Sequence, residues 1–307
     1  MSSDAPKPPP SGDAPDNLVA TTDVRADIAA LTHEGLVRPI NEDSYAVFRR
    51  GRFLDRVCSN VPESDLQSHI EETGHLMIVA DGLGGHAAGE VASRSALIAI
   101  LRLILRSPRW ALKLDDPTTR DEEIAAVLER ARLYLTGAHE GLRAQVKLDR
   151  GLEGMGTTLT CAYSVGNDLF VIHVGDSRAY VLRRGRLVRI THDHTLAQSY
   201  ADQGLIPQAE VATHRLGHVL TRAVGTGEAS PESDVHHLGI ESGDRVLLCS
   251  DGLTRMISEA EIAERLAAHD DSAAACKALV TLALERGGDD NVTVIVANFR
   301  ISGGHSA

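Results

Sequence analysis

Apolar positions along the chain follow two rhythms. Leu76 to Ala80 and Arg245 to Cys249 are nearly continuous apolar runs, the mark of buried strands. Ile28 to Leu31, Ser44 to Phe48, Thr158 to Val165, Leu169 to Val174, Ala179 to Leu182, Leu187 to Ile190 and Val292 to Phe299 also read as strands. A turn at Arg184-Gly185 joins two of them, so Thr158 to Ile190 has the look of an antiparallel meander. Helical spacing governs Ala87 to Arg106, Glu259 to His269, Ser272 to Glu285 and Asp121 to Leu148. In the last, Ile124, Val127, Leu128, Ala131, Leu135, Ala138 and Leu142 share one face. Strand signals cluster apart from helices, which predicts an α+β layered fold over a doubly wound one.

The stretches between these elements divide the chain further. Residues 1 to 20 hold five of the eleven prolines and almost no apolar side chain, and are predicted to be a disordered tail ahead of one domain over 21–303. Residues 51–74 are polar and irregular and are predicted to be a surface insertion. Residues 192–225 carry a helix-forming segment, Leu196 to Gln203, followed by breakers, and are expected to form a small flap.

Composition narrows the function classes. The chain has 307 residues, 43% hydrophobic and 24% charged, enough apolar material for a sizeable core. Thirty-one basic against forty-three acidic residues leave a formal charge of -12, which argues against nucleic-acid or anionic-membrane partners. The longest apolar run, Ala96 to Leu101, is far short of the roughly 20 residues a membrane span needs, and the N-terminus has no signal-peptide core. A cytoplasmic protein is expected. Cys58, Cys161, Cys249 and Cys276 form no Cys-x-x-Cys pair and read as reduced thiols.

The chemistry is carried by acids at strand ends. LMIVADG ends in Asp81-Gly82 and VLLCSDG in Asp251-Gly252, FVIHVGDS places Asp176 after a third strand, and Asp290 precedes the last. Asp-Gly is by itself an ordinary turn dipeptide. Several such acids at one sheet edge, however, would gather oxygen ligands for hard cations, and a glycine after the acid lets its carbonyl approach the same ion. Arg38 stands in one short turn with Glu42 and Asp43, where its planar donor fork suits a phosphoryl group. Gly82, Gly84 and Ala87 also satisfy a dinucleotide fingerprint, but the acid-ended second strand such a site needs is replaced by a helix bearing Arg94 and Arg102. With fourteen histidines in the chain, none is singled out.

RPINED (38 to 43), DGLGGHAAGE (81 to 90), MGTT (155 to 158), HVGDSRAY (173 to 180), THDHT (191 to 195), LTRAVG (220 to 225), SDGL (250 to 253) and GGDDNVT (287 to 293) together resemble the bacterial branch of the metal-dependent protein phosphatases, the PPM or PP2C family. The resemblance implies two antiparallel sheets packed face to face and flanked by helix pairs. It implies that Asp81 bridges two Mn²⁺ or Mg²⁺ ions, that the Gly82 carbonyl serves the first, and that Asp251 and Asp290 serve the second. Glu42 and Asp43 match acids acting through metal-bound water, Asp176 matches a ligand of a third site shared with Asp251, and His218 matches a backbone ligand there. Arg38 matches the phosphate-binding arginine. The implied function is hydrolysis of phosphoserine and phosphothreonine in proteins by a metal-activated water, opposing a serine/threonine kinase, by a monomer. A non-catalytic metal-binding regulatory module on the same fold is the alternative. Leu83 stands where eukaryotic relatives have a histidine proposed as the leaving-group acid.

Overall fold

The computed structural model describes residues 23–55, 57–58, 69–84, 88–106, 114 and 116–302. The tail expected over residues 1–20 and the histidine at 86 lie outside the described residues. One sheet has the order β1 (Asp23–His33), β11 (Val292–Ser302), β10 (Arg245–Cys249), β7 (Arg178–Arg183), β8 (Arg186–Arg189). The other runs β2 (Asp43–Asp55), β3 (His69–Leu83), β5 (Leu159–Val165), β6 (Asp168–Val174), β9 (Asp234–Gly239), with the two-residue β4 (Gly156–Thr157) also on β3. Every pairing among these strands is antiparallel, so the dinucleotide fingerprint at Gly82 has no parallel βαβ unit to serve.

Each central strand is apolar on both faces, for a reason visible in where alternate side chains go. Val292, Val294 and Val296 of β11, with Leu247 and Cys249 of β10, pack under α5 (Glu259–Ala268) and α6 (Ser272–Glu285). Ile295, Ala297 and Phe299, with Val246 and Leu248, point the other way and meet Met77, Val79, Leu169 and Val171 of the second sheet. The far face of that sheet, with Ile78, Ala80, Leu159 and Ile172, is covered by Ala92 and Ala96 of α1 (Ala88–Arg106) and Leu135, Ala138 and Leu142 of α2 (Arg120–Leu148). Four layers and three apolar seams result, and no central strand needs a polar face. The helices that close the first sheet start on firm caps. Ser258 and Glu261 form a reciprocal capping box for α5, and the Asp271 carboxylate accepts from Ala273 and Ala274 N–H at 2.6 and 3.0 Å for α6.

Three expectations need correction. The strand run from Thr158 to Ile190 is not one meander: β5 and β6 pair in the second sheet, whereas β7 and β8 pair in the first, so the chain changes sheet at Gly175 to Ser177. Residues 51–74 are not wholly irregular, since β2 continues to Asp55 and β3 begins at His69, paired Asp55 with His69. Strand β9, with the sequence DVHHLG, was not anticipated, because its half-buried polar side chains hide it. Residues 192–225 comprise α3 (Leu196–Asp202), a 3₁₀ turn over Gln208–Thr213 and two isolated bridges, Thr157 to Val224 and Thr195 to Leu220. Among the described residues no helix is long and apolar enough to cross a membrane.

The inter-sheet seam should dominate stability. Leu248→Ala, at a fully buried position, is expected to cost about 3 kcal/mol, whereas Val188→Ser on the edge strand β8, 42% exposed, should stay within about 0.5 kcal/mol. Urea unfolding in chelator compares the two; equal losses would contradict this account of the layers.

Candidate metal centre

The antiparallel order brings the acidic strand ends together. Asp43, first in β2, is paired with Asp81 near the end of β3. Asp251 follows β10 as the first residue of α4 (Asp251–Thr254), Asp290 lies two residues before β11, and Asp176 sits in the crossover between the sheets. Both sheets therefore contribute acids to one edge.

Neutral hydrogen bonds hold these acids in place. Ser250 Oγ and Thr293 Oγ1 each donate to Asp43 Oδ2 at 2.7 Å, while Thr293 N–H donates to Ser250 Oγ at 2.9 Å. Since the Thr293 hydroxyl proton serves Asp43, Thr32 Oγ1, 2.7 Å away, donates to Thr293, and Asn41 Nδ2 donates in turn to Thr32. The backbone of Asp81 is clamped by the MGTT segment. Thr158 N–H and Thr157 Oγ1 donate to its carbonyl at 2.8 and 2.9 Å, and its N–H donates to Thr158 Oγ1 at 2.9 Å. Thr158 Oγ1 also lies 2.8 Å from Ser177 Oγ, beside Asp176. Glycine at 82 is demanded by close packing: a Cβ there would lie 2.1 Å from the carbonyl oxygen of Gly89 and 2.8 Å from that of Glu42. The residue thus serves the approach of α1 to β3 as well as leaving its carbonyl unshielded.

The electrostatics show what this edge lacks. Burial pushes Asp81 well above the ordinary carboxylate range, and the charges of Asp43, Asp251, Asp176 and Asp290 push the same way. Burial likewise raises Asp43 to about 7 against the opposing hydrogen bonds from Thr293 and Ser250. Asp176 and Asp251 are raised by burial and by acidic neighbours, relieved partly by Arg178 and Arg255 respectively. Glu42 is raised by burial, with Arg38 opposing. Two oxygens, Glu42 Oε1 and Asp43 Oδ1, are buried with no hydrogen-bond partner. Carboxylates in this state call for a compact positive charge. Among the described residues, no three acidic, histidine or cysteine side chains already stand around one point as ligands. The edge has the charge and the oxygens for hard dications, and its donor set suits Mn²⁺ or Mg²⁺ better than a soft metal.

Arginines complete the rim. Arg38 Nη2 donates to Asp290 Oδ2 at 2.7 Å, and Arg255 Nη1 reaches the same oxygen at 3.1 Å and Asp251 Oδ2 at 3.6 Å. Arg255 was missed in the sequence, although its place four residues after Asp251 is the spacing that lets a helical arginine fold back on an acid. Ser250, Thr293 and Asn291 were missed too. His218 lies beside Val219, whose carbonyl accepts from Leu196 N–H at 2.8 Å, at the start of α3. His173 is fully buried and held near 3 chiefly by desolvation, and His194 is lowered for the same reason, so both are structural neutral imidazoles.

Raised carboxyl pKa values mean that the folded, metal-free protein binds protons the unfolded chain has released. Stability in chelator should therefore be greatest below the unfolded value, about 4, and fall as pH rises through about 7. Melting temperatures between about pH 5 and 8 test this. Asp43→Asn should flatten the slope, and Mn²⁺ should reverse it, since a bound dication favours ionised acids. A metal-free melting temperature that rises over this interval would contradict the reading.

Comparison with known proteins places this edge in context. The family model described as protein phosphatase 2C matches residues 59–287. The serine/threonine protein phosphatase PstP of Mycobacterium tuberculosis is 37% identical over 270 residues, 88% of this chain but 44% of that relative, so the chain spans less than half its length. The serine/threonine phosphatase stp of Listeria innocua is 32% identical over 265 residues, 86% of this chain and 92% of that protein. A crystal structure of the catalytic domain of PstP in complex with two manganese ions matches with a TM-score of 0.69 and 34% identity, covering 91% of this chain and all of that one. On the family match and on these relatives alike, the chain belongs to the protein phosphatase 2C family.

Proposed function

We propose that this chain is a metal-dependent protein serine/threonine phosphatase that hydrolyses phosphoserine and phosphothreonine in protein substrates, acting in the cytoplasm as a monomer against a serine/threonine kinase. The observation that carries the reading is the pair of unpartnered buried oxygens, Glu42 Oε1 and Asp43 Oδ1, within a cluster of acids that raise one another's pKa. A folded protein keeps such a cluster at a cost, and a phosphoryl-transfer centre is the use that offsets it. The manganese ions of the PstP structure and the activities named for its relatives support the same assignment.

In this reading Asp81, the Gly82 carbonyl, Asp251 and Asp290 would hold two Mn²⁺ or Mg²⁺ ions, with Asp176 and Asp251 at a third position. When bound, such ions supply Lewis acidity toward phosphoryl oxygens and make water nucleophilic at neutral pH. Glu42 and Asp43 orient water from one side, the Asp43 carboxyl fixed by the Ser250 and Thr293 hydroxyls and the Glu42 main chain by its N–H bond to Asn291 Oδ1. Arg38 is half-exposed and among the described contacts spends only Nη2, on Asp290, which leaves donors of its planar fork for the phosphoryl group. Arg255, on the same Asp290 oxygen, keeps that carboxylate oriented.

Asp251→Asn replaces a charged ligand by a neutral one of nearly the same shape. Half-saturation of aryl phosphate hydrolysis should move to Mn²⁺ concentrations higher by roughly tenfold or more, while metal-free melting is retained or raised as mutual repulsion is relieved. An unchanged Mn²⁺ titration would count against the metal centre. Arg38→Ala should lower kcat/KM toward a phosphothreonine peptide by roughly 100-fold with folding intact, and Arg38→Lys should restore part of it, as lysine lacks the fork. Equal kinetics for all three proteins would remove Arg38 from the site.

A further inference from the structure

Residues 36–40, Leu-Val-Arg-Pro-Ile, are all exposed, although four of the five are apolar or proline. Leu36 is 65% exposed, Val37 67% and Ile40 38%. A run of this kind costs solubility and marks a contact surface unless it is an accident of a loose loop. Here the loop is pinned. The Asn291 side-chain amide donates to the carbonyls of Glu34 at 2.8 Å and Ile40 at 2.9 Å, bracketing the run at both ends. Leu36 N–H donates to Gly288 O at 2.7 Å. Gly35 adopts φ +84°, and a Cβ there would lie 2.4 Å from Asp290 O and 2.7 Å from Gly288 O, so only glycine lets the loop sit this close. The same segment that carries Asp290 therefore holds an exposed apolar display on either side of Arg38.

We propose that Leu36, Val37 and Ile40 select protein substrates whose residues flanking the phosphorylated serine or threonine are apolar. The inference rests on the phosphatase reading above and adds the class of sequence taken. The argument for this occupant is position: a phosphoryl group on Arg38 brings the neighbouring residues of its own chain to a rigid apolar rim. A surface fixed before binding loses little entropy on contact. Flanking acids are disfavoured because the apolar rim offers no hydrogen-bond donor to a carboxylate brought against it.

The test uses the full chain with Mn²⁺ and matched phosphothreonine peptides whose flanking residues are leucine and valine, serine and asparagine, or aspartate and glutamate. Phosphate release gives kcat/KM for each, and an aryl phosphate without flanks serves as the reference. The apolar peptide should lead the neutral polar one by about tenfold, chiefly through KM, with the acidic peptide last. The double variant Leu36→Ser, Val37→Ser should reduce that lead to about twofold or less while leaving aryl phosphate hydrolysis and melting temperature unchanged. Equal rates across the panel for the unaltered chain, or a preference that survives in the double variant, would overturn the inference while leaving the phosphatase reading standing. A concentration-dependent dimer abolished by the double variant would assign the loop to self-association and overturn it as well. Absence of any hydrolysis by the unaltered chain would instead bring down the phosphatase reading, and this inference with it.

Discussion

Carboxyl groups buried side by side set the terms for everything around them. Asp43, Asp81, Asp176 and Asp251 are each driven toward the protonated form by loss of water and by the charge of neighbouring acids, Asp290 among them, and a chain free to relax would spread them into solvent. What prevents this is the sandwich. Strands β3, β6 and β10, which lead to Asp81, Asp176 and Asp251, are packed on both faces, so their ends cannot shift without opening an apolar seam. The core in effect holds a repulsive arrangement that a dication would turn into an attractive one.

Between core and cluster lies a shell of neutral hydrogen bonds. Ser250, Thr293, Thr157 and Thr158 contribute hydroxyls, and Asn291 contributes an amide that accepts from Glu42 N–H and donates to the loop carrying Arg38. Neutral donors suit this task because they orient a carboxylate without consuming its charge. An arginine in the same places would satisfy the acids and leave nothing for a metal. The arginines present stand farther out: Arg178 is committed to Asp193 through a bidentate pair, and Arg38 and Arg255 share one oxygen of Asp290 at the rim.

Asn291 links the two functional features of the molecule. Its amide fixes both ends of residues 34–40, while its backbone N–H accepts no freedom either, being bonded to Asp290 Oδ1 at 2.9 Å. The turn that carries Arg38 and the acid beside it are therefore one rigid unit, and the apolar display around Arg38 inherits that rigidity.

Much of this was legible in the residues alone. Continuous apolar runs marked the central strands because burial on both faces removes alternation, and α2 announced itself through a single apolar face from Ile124 to Leu142. The acids were visible because each ends a strand or precedes one. Assignment of strands to sheets was not legible, since β6 and β7 read as neighbours in a meander and only non-local pairing sends them to different sheets. Strand β9 was hidden because a half-buried edge strand need not be apolar. Arg255, Thr293 and Asn291 were hidden for a related reason: a hydrogen-bond partner is defined by distance across the fold, and Thr293 lies 250 positions from the Asp43 it serves. The residue types and their order along the chain thus determined the layers and the acidic strand ends. Which acids meet, and what holds them against their own repulsion, was decided by packing contacts that exist only once both sheets have closed.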